Sequence, residues 1–446
     1  MTEPARARPI DHDAASPTRS ALALALRVGE ALLASGATRA DVAAAILRIA
    51  AAYGVPSCHA DVTFNSITVV SGHPVDGPLP LTLMRVVSLR GSDYTRLDRV
   101  VAFVARLGRE PLPVHQAHAA LDDILGSAPP YRNWVATLAA AGLAAAVAVL
   151  IGGGALTAVT AAAASALVDR TLRLLTRAGL PSFFQHAVGA GLVSIAPIAL
   201  LLASRYAGLD VSAAPPSLVV GAGLVVLLAG LSLVNVAQDA ISGYLVTASA
   251  RVLEVLLPTL GIVVGIAAVL DLSRAAGMPL HLAAAPGLPV PLWLQLLAAA
   301  IASSCWALCG YATRRAVLVS AAGGGAVQLA YVVAKQAGVE TSTASFLAAL
   351  AVGFAVTVVA RRVGTSPMVA QACAIVPLLP GIALYRGMFE VVEGVPAGST
   401  ALMQACGVAL ALGAGVALGE FLAVSLQGSR DRWDRLVRHR ARGSRY

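Results

Sequence analysis

The chain has 446 residues, of which 58% are hydrophobic and only 12% charged, with a mean hydropathy of +0.78. Soluble globular proteins carry roughly 25% charged residues, so composition excludes a soluble enzyme or binding module and points to an integral membrane protein. The net charge of +9 does not argue for nucleic acid, because its Arg residues sit in short clusters between apolar runs and at the C-terminus, as the positive-inside rule produces.

In chain order, residues 1–18 are polar and Pro-containing and read as a disordered tail. No cleavable signal is expected, since the following "ALALAL" is cut short by Arg27 and Glu30. Residues 19–128 have soluble character. A helical run ends at Ser35-Gly36; a second opens with Thr38 three residues before Asp41, a capping-box-like start, and stops at Gly54. Two β-branched runs follow, "SCHADVTFNSITVVS" and "LTLMRVVSL", then two helices, "YTRLDRVVAFVARLG" and "PVHQAHAALDDILGS". The pattern predicts an ααββαα-type α+β domain in the cytoplasm. Within "HADVTFNS", His59, Asp61, Thr63 and Asn65 share one strand face and Ser66 the other, and no Gly-x-Ser-x-Gly elbow is present. A hydrolase site there is not supported.

"APPYRN" (128–133) is the hinge into the membrane part. A bilayer core needs about 20 apolar residues per helix. Ten candidate spans start near Trp134, Leu156, Phe183, Pro216, Val252, Val290, Ala316, Ser345, Met368 and Thr400. They divide into five-helix modules over 134–275 and 288–426, followed by a basic tail, 427–446. The second span is the weakest, because "DRTLRLLTR" interrupts it. With the N-terminus inside, the inner connections carry Arg170, Arg173, Arg177, Arg251, Arg314, Arg315, Arg361 and Arg362, and the tail adds seven more Arg. The outer connections carry only Arg205, Arg274, Lys335 and Arg386, each near an acid (Asp210, Asp271, Glu340, Glu390). Both termini are therefore expected in the cytoplasm, with the tail against anionic lipid. Five cysteines form no Cys-x-x-Cys motif, and four lie in apolar runs, which predicts free thiols and no metal site. "GGG" at 152–154 and 323–325 lacks the Lys and Ser/Thr of a phosphate loop and reads as a tight turn or close helix packing.

An internal repeat is visible. "GLSLVNVAQDAISG" (230–243) overlies "GIALYRGMFEVVEG" (381–394) at a shift of 151, pairing Gly230 with Gly381, Leu233 with Leu384, Asp239 with Glu390 and Gly243 with Gly394. "WVATLAAA" (134–141) overlies "WLQLLAAA" (293–300) at a shift of 159, a difference that one loop of unequal length supplies. Five helices per copy is an odd number, so the second copy is expected inverted, as in many secondary transporters.

Two stretches carry the candidate site. In "NVAQDAISGYLVTASARVLE", read as one helix, Asn235 and Asp239 share a polar stripe with Ser242 and Ser249, and Thr247, Arg251 and Glu254 share another with Tyr244. Gly243 is a break between them. The bland alternative is a solvated connector with an Arg251–Glu254 surface pair; the functional one is a segment lining a pathway, since ionisable groups at membrane depth usually face a cavity. In "SPMVAQACAIVPLLPGIALYRG", Pro377, Pro380 and Gly381 interrupt a span, so that unpaired backbone groups and half-helix ends face a zwitterionic solute. Glu390 is the outer counterpart of Asp239. No cofactor is expected.

These segments, in their order and spacing ("SGATRADVAAAILRIAAAYGVP", "TRLDRVVAFVARL", "YRNWVATLAAAGLAAAVAVLIGGG", "DAISGYLVTASARVLE", "VPLLPGIALYRG"), resemble the threonine/serine exporter family of bacterial inner-membrane proteins over roughly residues 30–425. The resemblance implies a secondary exporter of L-threonine and L-serine driven by the proton motive force. Its partners are then a small amino acid, protons and membrane lipid; a homo-oligomer stays open. An exporter of another amino acid or a peptide, and a membrane-tethered hydrolase, are the alternatives.

Overall fold

The computed structural model describes residues 17–55, 57–72, 81–87, 93–207, 214–228, 230–277, 288–392 and 395–443. The tail expected over 1–18 lies outside these residues except at Pro17 and Thr18, where a helix already begins. Asp210, Gly394 and the side chains of Arg205 and of the basic tail also lie outside them. The chain forms two compact units: residues 1–91 with 96–128, and 92–95 with 129–446.

In the first unit, α1 (Pro17–Ala34) and α2 (Arg39–Ala52) precede β1 (Cys58–Val62), β2 (Ser66–Ser71) and β3 (Leu81–Val86), and then α3 (Tyr94–Leu107) and α4 (Val114–Gly126) follow. Thr38 caps α2 by accepting from the Asp41 amide at 3.3 Å. The strands form one antiparallel sheet in the order β1-β2-β3. This corrects the two-strand expectation: the first β-branched run is a hairpin, not one strand. Its turn is closed by Thr63, whose amide donates to the Ser66 carbonyl at 2.9 Å and whose hydroxyl lies 2.7 Å from the Ser66 hydroxyl. Ser66 is therefore buried at the start of β2, while His59 and Asp61 are exposed on β1. Leu22, Leu24, Ile46, Ile49 and Ile67 fill the core. Arg27 pairs with Asp122 and lies 3.0 Å from His118, and Arg85 pairs with Glu30 at 2.6 Å, tying α1 to α4 and to β3.

The second unit begins with α5 (Asn133–Leu150), α6 (Ala155–Arg177), α7 (Ser182–Ala207), α8 (Pro216–Gly223), α9 (Gly230–Ile241) and α10 (Leu245–Ala275). It continues with α11 (Leu292–Cys309), α12 (Arg314–Gln336), α13 (Thr341–Val363), α14 (Pro367–Ala374), α15 (Gly381–Val392) and α16 (Ala397–Gly443). Short 3-10 turns, Leu224–Val226 and Val376–Leu378, end α8 and α14. Among the described residues, seven helices are long and apolar enough to cross a membrane. Two further pairs, α8 with α9 and α14 with α15, pass only together and are bent by more than 40°. The remaining candidate, α6, has the length at 23 residues but carries Asp169, Arg170, Arg173 and Arg177. The fifth span starts at Leu245, seven residues before the expected Val252, because the helix resumes directly after the Gly243 break.

The element lengths recur. Helices α5 and α11 both have 18 residues, α6 and α12 both have 23, and each pair starts 159 residues apart. The broken pairs have segments of 8, 3 and 12 residues in both copies, with α8 and α14, and α9 and α15, starting 151 apart. The change from 159 to 151 falls at the connection before α8 and α14, which is three residues long (364–366) in the second copy.

Without a strong hydrophobic drive in lipid, helices associate through close backbone approach at small residues. On α10, Gly261 and Gly265 lie against the Phe183 and Ala187 carbonyls of α7. On α16, Gly415 and Gly419 lie against the Phe346 and Leu350 carbonyls of α13. The "GGG" at 323–325 is likewise helix packing: Gly324 lies against Ser303 and the Ala299 carbonyl of α11. Substituting Val at Gly265 or Gly419 is expected to cost about 1–3 kcal/mol or more by overpacking. Thermal scans of detergent-purified variants check this; an unchanged melting midpoint contradicts the packing.

Candidate functional site

The sequence "QDAISGYLVTASAR" is not one helix. Gly243 takes φ +88, a left-handed conformation that glycine adopts without strain, and ends α9. The Tyr244 amide then closes the turn onto the Asp239 carbonyl at 2.9 Å. The chain reverses into α10, so Asp239 in the last turn of α9 meets Arg251 in the second turn of α10. Arg251 Nη1 lies 3.1 Å from Asp239 Oδ2, with the side chains only 13% and 2% exposed. The bland alternative of a surface pair of Arg251 with Glu254 is not what forms: Glu254 is exposed and Arg251 turns to the acid across the break. Of the other residues on the two expected stripes, Asn235 is half-buried, Thr247 buried and Ser249 exposed. They do not form continuous stripes, because a left-handed residue between two helices resets the 100° periodicity.

The second copy carries the same break without the same pair. Glu390 occupies the Asp239 position in α15 and is half-buried. Counting from the starts of α10 and α16, the position of Arg251 is taken by Met403, which is 76% exposed.

The two broken spans touch at their breaks. A Cβ built on Gly230 would stand 3.0 Å from Leu379 Cβ and 3.2 Å from Gly381 N. A Cβ built on Gly381 would stand 2.9 Å from Leu228 Cβ and 3.6 Å from Gly230 N. The contacts are reciprocal at a shift of 151: 228 to 381, and 230 to 379. A cavity of about 90 Å³ lies at this crossing. Its walls include Val225 with Val376, Leu228 with Leu379, and Gly230 with Gly381. Pro377 also lines it, whereas Pro380 is buried beside it. Trp306 of α11 and Val147 of α5 also line it, with Leu150, Ile151 and Ile382, and Trp306 and Val147 correspond at the shift of 159.

A third cluster escaped the sequence reading. Asp169 receives two hydrogen bonds from Arg173, at 2.9 and 3.0 Å, and one from the Thr137 hydroxyl at 2.7 Å. Arg173 also donates to the Tyr311 hydroxyl, which donates to Asn133 Oδ1, both at 3.3 Å. The i,i+4 spacing of Asp169 and Arg173 was a readable signal; Tyr311, 138 residues away from Arg173, was not. Among the described residues no group of His, Cys, Asp and Glu could hold a metal ion.

Seven long apolar helices with two further bent helix pairs define a polytopic α-helical membrane protein. Relatives narrow the class. A ThrE family model matches residues 23–273, and a second, described as "Threonine/Serine exporter, ThrE", matches residues 295–422. A protein of Mycobacterium tuberculosis named "Probable threonine/serine exporter" is 39% identical over 419 residues, 92% of this chain and 78% of its own. A "Threonine/serine exporter" of Corynebacterium glutamicum is 34% identical over 432 residues, 95% of this chain and 86% of its own. The chain belongs to the threonine/serine exporter family. No solved structure matches it significantly.

Removing one partner of a buried ion pair costs about 3–5 kcal/mol, because the other charge is left unpaired. Arg251→Ala is therefore expected to destabilise strongly, and Asp239→Leu with Arg251→Met to recover most of that loss. Thermal scans of the purified single and double variants check this; equal losses in both contradict the pairing.

Proposed function

We propose that the protein exports L-threonine and L-serine across the bacterial cytoplasmic membrane in exchange for protons. The membership in the family supports the substrate. The observation that carries the mechanism is the buried Asp239–Arg251 pair at the junction of two helices. Such a pair has two stable arrangements. With Asp239 ionised, the pair holds α9 to the start of α10. With Asp239 protonated, the attraction is lost and Arg251 no longer holds the start of α10 to α9. Glu254 is exposed and is not part of the Asp239–Arg251 pair.

The architecture supports the same reading. Ten spans, counting α6 with its paired Asp169 and Arg173, form two five-helix halves, inverted because five is odd. Both termini then lie in the cytoplasm, Asp239 faces the inner side and Glu390 the outer. Alternating access is the rocking of one half against the other about the crossing of the broken spans.

A pH gradient of one unit stores about 1.4 kcal/mol per proton and sustains about a tenfold solute gradient for one-for-one exchange. Purified protein in vesicles loaded with threonine is expected to expel it when the outside is made acidic, and Asp239→Asn to lose that dependence. Competition by serine but not by larger amino acids checks the substrate. Efflux that is the same with and without the pH gradient, or gradient-driven efflux by Asp239→Asn, contradicts the coupling.

A further inference from the structure

We propose that the cavity at the crossing of the two broken spans is the seat of the transported solute, a small zwitterionic amino acid with no more than a few side-chain atoms. This rests on the exporter reading above and deepens it by placing the substrate site.

Three observations carry the assignment. First, the cavity lies where both copies of the repeat contribute the same positions: Val225 with Val376, Leu228 with Leu379, and Gly230 with Gly381. A local two-fold axis therefore passes through it, and a solute seated there is equally reachable from either half. Second, both spans are broken at this place and nowhere else in their length, with a 3-10 turn on one side and a fresh helix start on the other. The first N–H groups of a helix and the last C=O groups before a break have no partner within the helix. Each break thus offers positive and negative backbone ends side by side, which is the complement of a carboxylate and an ammonium. Third, the wall is otherwise apolar, built of Val, Leu, Ile, Trp and Pro with no charged side chain. A net-charged solute finds no counter-ion there, whereas a zwitterion is neutral overall and is held at its two poles by backbone.

Size sets the remaining limit. A cavity of about 90 Å³ is smaller than the roughly 150 Å³ that holds benzene. Threonine enters by parting the breaks, where no ladder of helix hydrogen bonds resists, and larger side chains are excluded. Among the lining positions that correspond between the two halves, the largest difference in size is Trp306 against Val147. The indole is the bulkiest group lining the cavity and sets the side-chain length admitted.

Helix α9 links this seat to the ion pair. Gly230 starts it and Asp239 stands nine residues on, about 14 Å at the helical rise. Occupation of the cavity and release of Arg251 then act on opposite ends of one rigid element.

The test is equilibrium binding of radiolabelled threonine to the full chain in lipid nanodiscs, with competition by each of the twenty amino acids. Val225→Phe and Val376→Phe fill the cavity from equivalent positions and are each expected to weaken threonine binding at least about 30-fold, within the range that one or two methylene-sized changes produce. Trp306→Val copies the smaller wall of the other half and is expected to improve competition by leucine at least about tenfold, a gain that misfolding cannot produce. Wild-type affinity in both Phe variants, with no leucine gain in Trp306→Val, overturns the site while leaving threonine export standing. Binding of a different amino acid in place of threonine, blocked by the Phe variants, upholds the site and overturns the substrate assignment. Failure of the wild type to bind any of the twenty overturns both.

Discussion

Backbone hydrogen bonding in hydrocarbon is the constraint on which the rest of the structure depends. Inside a bilayer, each unpaired N–H or C=O costs several kcal/mol, so a span can be interrupted only where protein covers the interruption. Here two interruptions cover each other. Gly230 and Gly381 bring the breaks within backbone contact, and Leu228 and Leu379 close over them reciprocally. Neither break would be tolerable facing lipid. The surrounding helices, with α5 and α11 packed together and α11 against α12 and α14, shield them. The cavity is the space left when two kinked backbones cross without side chains at their closest point.

The Asp239–Arg251 pair follows from the same geometry. A span that breaks and then reverses through a left-handed glycine places the end of α9 against the start of α10. A carboxylate and a guanidinium in those positions are withdrawn from water together, and their mutual attraction outweighs desolvation only while both are charged and close. The second copy has Glu390 but Met403 where an Arg would stand. The two halves are alike in backbone and unlike in charge, which gives the proposed cycle a preferred side for its proton.

Much of this was legible in the sequence. Apolar run length located the helix starts to within a few residues, except at α10, because hydropathy sees "YLVTASAR" as polar while the helix has already resumed there. The shift of 151 was readable from Gly230, Leu233 and Asp239, since close backbone approach and a buried acid restrict the residues permitted. Pro377, Pro380 and Gly381 announced their break by chemistry; Leu228 and Gly230 did not, as that stretch of sequence has no proline. What stayed hidden needed distances between remote residues. Trp306 and Val147 meet only through folding, as do Arg173 and Tyr311. The partner of Arg251 was not legible either: sequence spacing offered Glu254 as an i,i+3 neighbour, whereas the structure pairs Arg251 with Asp239 across a turn. The hairpin in β1–β2 was masked by Thr and Phe at its turn, residues that also suit strands.

The inverted relation of the two halves is tested most directly by the sidedness of equivalent breaks. In a cysteine-free version of the full chain, Ser242→Cys and Val395→Cys place thiols at exposed positions after α9 and after α15. A membrane-impermeant maleimide added to intact cells is expected to label the Cys at 395 and to reach the one at 242 only after the membrane is opened. Labelling of both from the same side contradicts the inversion, and with it the alternating-access account built on the crossing.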